Sequence, residues 1–355
     1  MSRAALIAAA AAAVLLCARA ARADNIWERA LEGPTQSARP HRPTPPRELD
    51  EYGKQMWWGD YHALRLAQKR VDLTGLSRPG MYYLQKAILG YERAIKADPT
   101  KAAPHLRLAE VLYGNCLALD RHCGVMRPED VRATVLHHWE EFERLAPKDP
   151  RLQRIWRSRS LEYTKLATDE GLKKALGDYT KLCDTIDLDQ LDPDEAGRVT
   201  SNRAEVHMML GQMPEAITWY KRALDFSINA DWGFGLAVAY DRDGQGMRAR
   251  EMMRSYLTKS TLSQFVGALE QGSLFFVPKG EVYYYFALMH EELGNYDLAI
   301  SAYRRFIDSH AHPQFEPRAR DNIAHLRKKM GSGWHPPRGR EWSRLWYIKG
   351  YGRRR

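Results

Sequence analysis

Residues Glu281 to Ile307, EVYYYFALMHEELGNYDLAISAYRRFI, carry the pattern on which the fold of this 355-residue chain turns. Apolar residues recur at helical spacing on both sides of Gly294-Asn295, which predicts two amphipathic helices joined by a tight turn. Small Ala287 and Ala299 stand where the two helices have to touch. A short helix pair of this kind cannot bury its apolar faces alone, so copies stacked against it are expected.

Copies are present upstream. In RVTSNRAEVHMMLGQMPEAITWYKRAL the landmarks are Ala204, Gly211, Ala216, Tyr220 and Ala223. In DWGFGLAVAYDRDGQGMRAREMMRSYL they are Ala237, Gly244, Ala249, Met253 and Tyr256, each 33 residues later. The opening stretch places Ala287, Gly294, Ala299, Tyr303 and Phe306 a further 50 residues on, and the surplus is confined to an insertion at 262–278. Alanine midway in a helix permits close backbone approach, glycine permits the turn, and an aromatic fills the gap to the next unit.

These positions and this spacing resemble the tetratricopeptide repeat, a helix-turn-helix unit of 34 residues. Ala87, Tyr91, Ala94 and Pro99 match its second half, Ala175 and Tyr179 match it partly, and Ala102 to Pro150 fits only with a long loop. The resemblance implies an all-α chain built as a right-handed α-solenoid, with degenerate repeats over 49–195 and better ones over 196–330. It also implies a non-catalytic scaffold whose first helices line a concave groove for a protein or peptide partner. The clearest strand-like run, Leu274 to Val277, is very short, which agrees with an all-α reading.

The family's carboxylate-holding groove carries Lys, Arg and Asn at fixed first-helix positions. Ser201, Asn202 and Glu205 occupy them in one unit, Asp231, Phe234, Gly235 and Val238 in the next, and Glu281, Tyr284, Tyr285 and Leu288 in the last. Only Asn202 fits, while Glu205, Asp231 and Glu281 would repel a carboxylate. The tyrosines and acids suit a basic or aromatic-containing segment instead. The plainer expectation is that Tyr283 to Phe286 belong to the core and that the acids are solvated.

The ends of the chain carry separate signals. MSRAALIAAAAAAVLLCARAARAD has a basic start at Arg3, an apolar run from Ala4 to Leu16 and small-residue cleavage signatures, so residues 1–23 read as a signal peptide. Export to the periplasm or cell envelope of a double-membraned bacterium is expected. A lipidated Cys17 is disfavoured by the bulky Leu16 before it. Removing the leader takes Arg3, Arg19 and Arg22 and no acid, so the formal net charge falls from +10 to about +7. Residues 24–48 hold five prolines and read as an extended linker.

The tail, 331–355, carries seven Lys and Arg against one Glu, interleaved with aromatics. Trp334, Arg340, Trp342, Arg344, Trp346 and Tyr347 are its candidate contacts, either with an anionic envelope polymer or lipid surface or as a cap on the last solenoid helix. Nucleic acid is not expected as a partner of an exported protein.

Cleavage would leave Cys116, Cys123 and Cys183. Cys116 and Cys123 are candidates for a disulfide around LALDRH or for simple packing; a zinc site with His122 lacks a complete ligand set. No phosphate loop, His-Glu-x-x-His helix or nucleophile elbow appears, and no cofactor or metal is expected. A cell-wall hydrolase, the third reading, rests only on His290, Glu291 and Glu292.

Overall fold

The computed structural model describes residues 43–68, 78–118, 123, 127–271, 274, 276–331, 333 and 335. Residues from Glu48 onward form one compact unit. Its described residues hold fourteen α-helices and no β-strand. They are α1 (Glu51–Ala67), α2 (Arg78–Ala97), α3 (Ala103–Leu112), α4 (Pro128–Leu145), α5 (Leu152–Thr164), α6 (Asp169–Thr185) and α7 (Pro193–Met209). Then come α8 (Met213–Phe226), α9 (Ala230–Arg242), α10 (Gly246–Tyr256), α11 (Lys259–Gln271), α12 (Val282–Glu292), α13 (Tyr296–Ser309) and α14 (Glu316–Lys329).

Consecutive helices pair, α1 with α2, α3 with α4, α5 with α6, α7 with α8, α9 with α10 and α12 with α13. Each pair also packs on the next, so the chain is a stack of six hairpins with α14 laid against α13 at the end. Helix α11 overlaps the first part of the 262–278 insertion, and it packs on α9.

The landmark residues take the places their chemistry suggests. Ala204, Ala216, Ala237, Ala249, Ala287 and Ala299 are all buried. Gly211, Gly244 and Gly294 have φ of 75°, 78° and 71°, the left-handed region in which a side chain is disfavoured. The three turns are closed alike. Gln212 N donates to His207 O at 2.9 Å, Gln245 N to Tyr240 O at 2.8 Å and Asn295 N to His290 O at 2.9 Å. Each satisfies a carbonyl that the helix end would otherwise orphan. At the start of α7, Asp192 caps the helix by accepting from the Asp194 and Glu195 amides, and Pro193 follows at the first helical position.

Two apolar clusters run through the stack and meet at α7. Ala204 and Met208 belong to the downstream cluster, whereas Val199, Val206 and Met209 belong to the upstream one. A helix with neighbours on both sides is buried on more than one face, which explains why α7, α9 and α12 carry so few polar residues facing solvent. Upstream, Arg159 is buried and forms a two-pronged ion pair with Asp178, 2.7 Å on each arm, so that charge ties α5 to α6. Cys116 and Cys123 are joined as a disulfide, next to a π-helical turn at Tyr113–Leu117 that ends α3. Cys183 is free and half-buried.

The first hairpin closes through a contact that the landmark pattern does not include. A Cβ built on Gly90 of α2 would lie 2.6 Å from the backbone nitrogen of Gly59 on α1. Gly90→Ala is therefore expected to destabilise the N-terminal hairpin by about 1–3 kcal/mol, because backbone cannot yield as a side chain can. Gly177→Ala on α6, with nothing within 4 Å of the added carbon, should instead be neutral or gain about 0.5–1 kcal/mol. Urea unfolding of the two variants checks the contrast, and equal behaviour would show that the close approach costs nothing to relieve.

Candidate functional site

One stripe of α7 faces an open cavity of about 480 Å³. Asp194, Arg198, Ser201, Asn202, Glu205 and Met209 line it, and their spacing of three and four residues puts them on one helix face. Opposite stand Asn229, Asp231 and Trp232 at the start of α9, with Tyr220 of α8 and Tyr179 of α6 beside them. The insertion closes the remaining side through Phe265 and Ala268 of α11 and the Leu274, Phe276 and Val277 segment that follows. Tyr285 of α12 completes the floor.

Local packing holds these walls. The Trp232 ring lies against Gly197 of α7, where a Cβ would come within 2.2 Å of it. Phe265 packs on Phe234 and Phe276 on Tyr285, with ring centroids 5.6 Å and 4.7 Å apart. Asn229 caps α9 by accepting from the Asp231 amide at 2.9 Å.

The carboxylates differ in their surroundings. Glu205 is half-buried and accepts a hydrogen bond from the Tyr220 hydroxyl; the Tyr285 hydroxyl lies 3.4 Å from the same oxygen. Burial, with the nearby Glu281 charge, raises the Glu205 pKa against the lowering effect of Tyr220. Burial and Glu205 in turn push both tyrosine hydroxyls far above their ordinary value. Asp231 is half-buried, its pKa raised by burial alone, and no side-chain hydrogen bond or ion pair to its carboxylate occurs among the described residues. Asp194 is exposed and accepts from Ser227 Oγ at 2.6 Å, and Arg198 is exposed at the mouth.

Behind the floor lies a buried ion pair. Arg242 donates to Glu281 Oε2 at 2.9 Å and lies 2.7 Å from Oε1, and their side chains are 0 % and 1 % exposed. The guanidinium stacks on Tyr284 at 4.4 Å and on Phe315 at 4.0 Å. Burial would lower the Arg242 pKa, but Glu281 outweighs it and holds the guanidinium charged; burial still raises Glu281. His312, 3.7 Å from Glu281, is lowered to about 4 by burial and Arg242 and so is neutral.

The eight groove positions therefore divide. Asn202, Glu205, Asp231 and Tyr285 come together around the cavity. Phe234, Glu281, Tyr284 and Leu288 do not; all four are buried, in line with the plainer reading of Tyr283 to Phe286 as core and against a groove contact by these four. The reason is tertiary: the insertion covers Phe234, while the turn at Pro313–Phe315 and α14 cover the Arg242, Glu281 and Tyr284 cluster. Leu288 borders a smaller cavity beside α14. Nor are the acids simply solvated, since Glu281 is buried against Arg242 and Glu205 and Asp231 are half-buried.

Trp232, Arg198, Tyr220 and the insertion's Phe265 and Phe276 were missed. The four-residue ladder from Asp194 through Arg198 to Asn202 was a signal in the sequence; the aromatics of the insertion carried none. Trp334, Arg340, Trp342, Arg344, Trp346 and Tyr347 lie outside the described residues. His290 is buried, Glu291 lies near Lys329 and Arg250 at the smaller cavity, and Glu292 pairs with Arg254 at 2.6 Å. Among the described residues no three potential ligands cluster around a metal position, and no helix is long and apolar enough to cross a membrane.

The model of the tetratricopeptide repeat matches residues 281–312, which are α12, α13 and the turn between them. No curated protein matches the chain. Among solved structures it is similar to the MamA protein, with 15% identity over 76% of this chain and 94% of that one, at a TM-score of 0.22. It is also similar to the TPR domain of P58(IPK), with 16% identity over 79% of each chain and a TM-score of 0.24. Superpositions that loose say nothing of shape or ligand, so the assignment rests on the matched unit and on the hairpins that repeat its turn and its contact alanines. On that ground residues 281–312 form a tetratricopeptide repeat, set within an all-α solenoid of stacked helix pairs.

Proposed function

We propose that the chain is a non-catalytic scaffold that takes a segment of a partner protein into the cavity along α7, and that it works in the cell envelope. The observation that carries this reading is the cavity itself, on the face where a repeat of this family presents its first helices. Its 480 Å³ suits side chains of an extended segment and is too small for a folded domain. Apolar and aromatic walls with a few convergent polar groups are what such a site needs to hold and orient a ligand. The envelope location is supported by the leader pattern around Ala4 to Leu16.

A photo-crosslinking residue placed at exposed Arg198 on the cavity mouth is expected to give a discrete adduct with another protein, recovered in the envelope fraction of intact cells. The same residue at exposed Lys173 on α6 should not give it. Equal adducts from both positions, or none from Arg198, would remove the cavity as the partner site.

A further inference from the structure

We infer that the cavity along α7 receives a cationic side chain, arginine or lysine, of the partner segment, with Asp231 and Glu205 as the anionic contacts and Trp232, Phe276 and Tyr285 as aromatic walls around its stem. The inference rests on the reading of this cavity as a partner site. It reverses the charge of the ligand that the family's carboxylate-holding groove takes.

The charges that face the cavity leave Asp231 unanswered. Among the described residues three carboxylates line it, Asp194, Glu205 and Asp231, against one cation, Arg198. Arg198 is exposed, so water and salt screen it, whereas half-buried Asp231 and Glu205 are screened much less. The cations behind the floor are not available: Arg242 is committed to Glu281, and His312 is neutral. The N-terminus of α9 lends Asp231 some positive potential, yet burial still dominates its titration.

Occupants of other chemistry fit worse. An apolar side chain would complete the desolvation of Asp231 without supplying a donor, which is costly for a carboxylate. A carboxylate would meet three acids. A guanidinium or ammonium supplies donors to Asp231 and Glu205 while its aliphatic stem covers the rings, and its charge is favoured over an aromatic face.

The test uses nonapeptide pools with the central residue fixed as arginine, lysine, citrulline, leucine or glutamate and the flanks randomised, passed over the immobilised full chain. Citrulline keeps the shape of arginine and removes its charge. Retention of the arginine and lysine pools is expected to exceed the citrulline pool by about tenfold, the difference between a charge-assisted and a neutral hydrogen bond. Asp231→Asn and Glu205→Gln should each bring that ratio close to unity, with circular dichroism showing an unchanged fold, whereas Asp225→Asn on exposed α8 should leave it intact. Equal retention of arginine and citrulline, preference for leucine or glutamate, retention of no pool, or an undiminished ratio in both cavity variants would overturn the cationic assignment. If the Arg198 photoprobe still captures its protein in those cases, the partner site stands and only the ligand chemistry falls; if it captures none, the site falls as well.

Discussion

Glu281→Ala is expected to lower the stability of the C-terminal repeats by about 3–5 kcal/mol. The carboxylate is the ionic partner of Arg242, and the two side chains are 0 % and 1 % exposed. Removing it leaves a charged guanidinium sealed among Tyr284, Phe306 and Phe315 with no counter-charge in contact. Arginine does not shed its proton to escape, so the full cost of burying the cation appears in the folded state. The pair itself need not be strongly stabilising. Replacing both members, as Arg242→Met with Glu281→Leu, should recover most of the loss, because matched apolar side chains remove the desolvation cost along with the attraction. Urea unfolding, with hydrogen exchange over α12 to α14 to localise the effect, gives both numbers. A single variant as stable as the wild type would mean that water reaches Arg242 and that the core is more open than its packing indicates.

Asp241→Ala should cost about 2–5 kcal/mol and do so at the other side of the same hairpin. Asp241 accepts from the Tyr284 hydroxyl at 2.7 Å, from Arg318 at 2.7 Å and from Asn322 at 2.8 Å. Asn322 also donates to the Tyr303 hydroxyl at 3.0 Å, so one carboxylate ties α9 to α12, α13 and the terminal α14. Its loss strands several buried donors together, which is worse than losing one bond. The effect should be directional: amide exchange in α14 accelerates strongly, while α7 and α8 keep their protection. Asp241→Asn, which retains an acceptor oxygen but turns an amide group toward some of the same donors, should fall between. Uniform loosening of the whole stack would contradict the assignment of Asp241 as the anchor of the terminal helix.

Both predictions concern residues whose roles were only partly legible beforehand. Glu281 and Tyr284 sit at first-helix positions, where a solenoid presents side chains to a groove; Tyr284 is core, as the plainer reading had it, whereas Glu281 is buried and not solvated. Their partners explain why. Tyr284 bonds a residue 43 positions away, and Tyr285 approaches Glu205 across 80 positions. Asn202, Glu205 and Asp231 did meet around one cavity, because they lie on neighbouring first helices held in register by the repeat. The insertion was visible as a length surplus, yet that its Phe265 and Phe276 would wall the cavity was not.

The division follows from the range of the interactions. Helix periodicity, the left-handed turn glycines Gly211, Gly244 and Gly294 and the contact alanines act within a single unit of about 33 residues, so the sequence by itself determined the helix pairs, their repetition and the all-α solenoid. Which tyrosines and acids face a cavity and which are sealed depends on what packs over them from elsewhere in the chain. The tertiary structure alone decided that α11 closes one side of the α7 cavity, that the turn ending at Phe315 covers Arg242, Glu281 and Tyr284, and that Asp231 is half-buried with no side-chain partner among the described residues. Those are outcomes of desolvation, and desolvation is set by neighbours that local spacing does not encode.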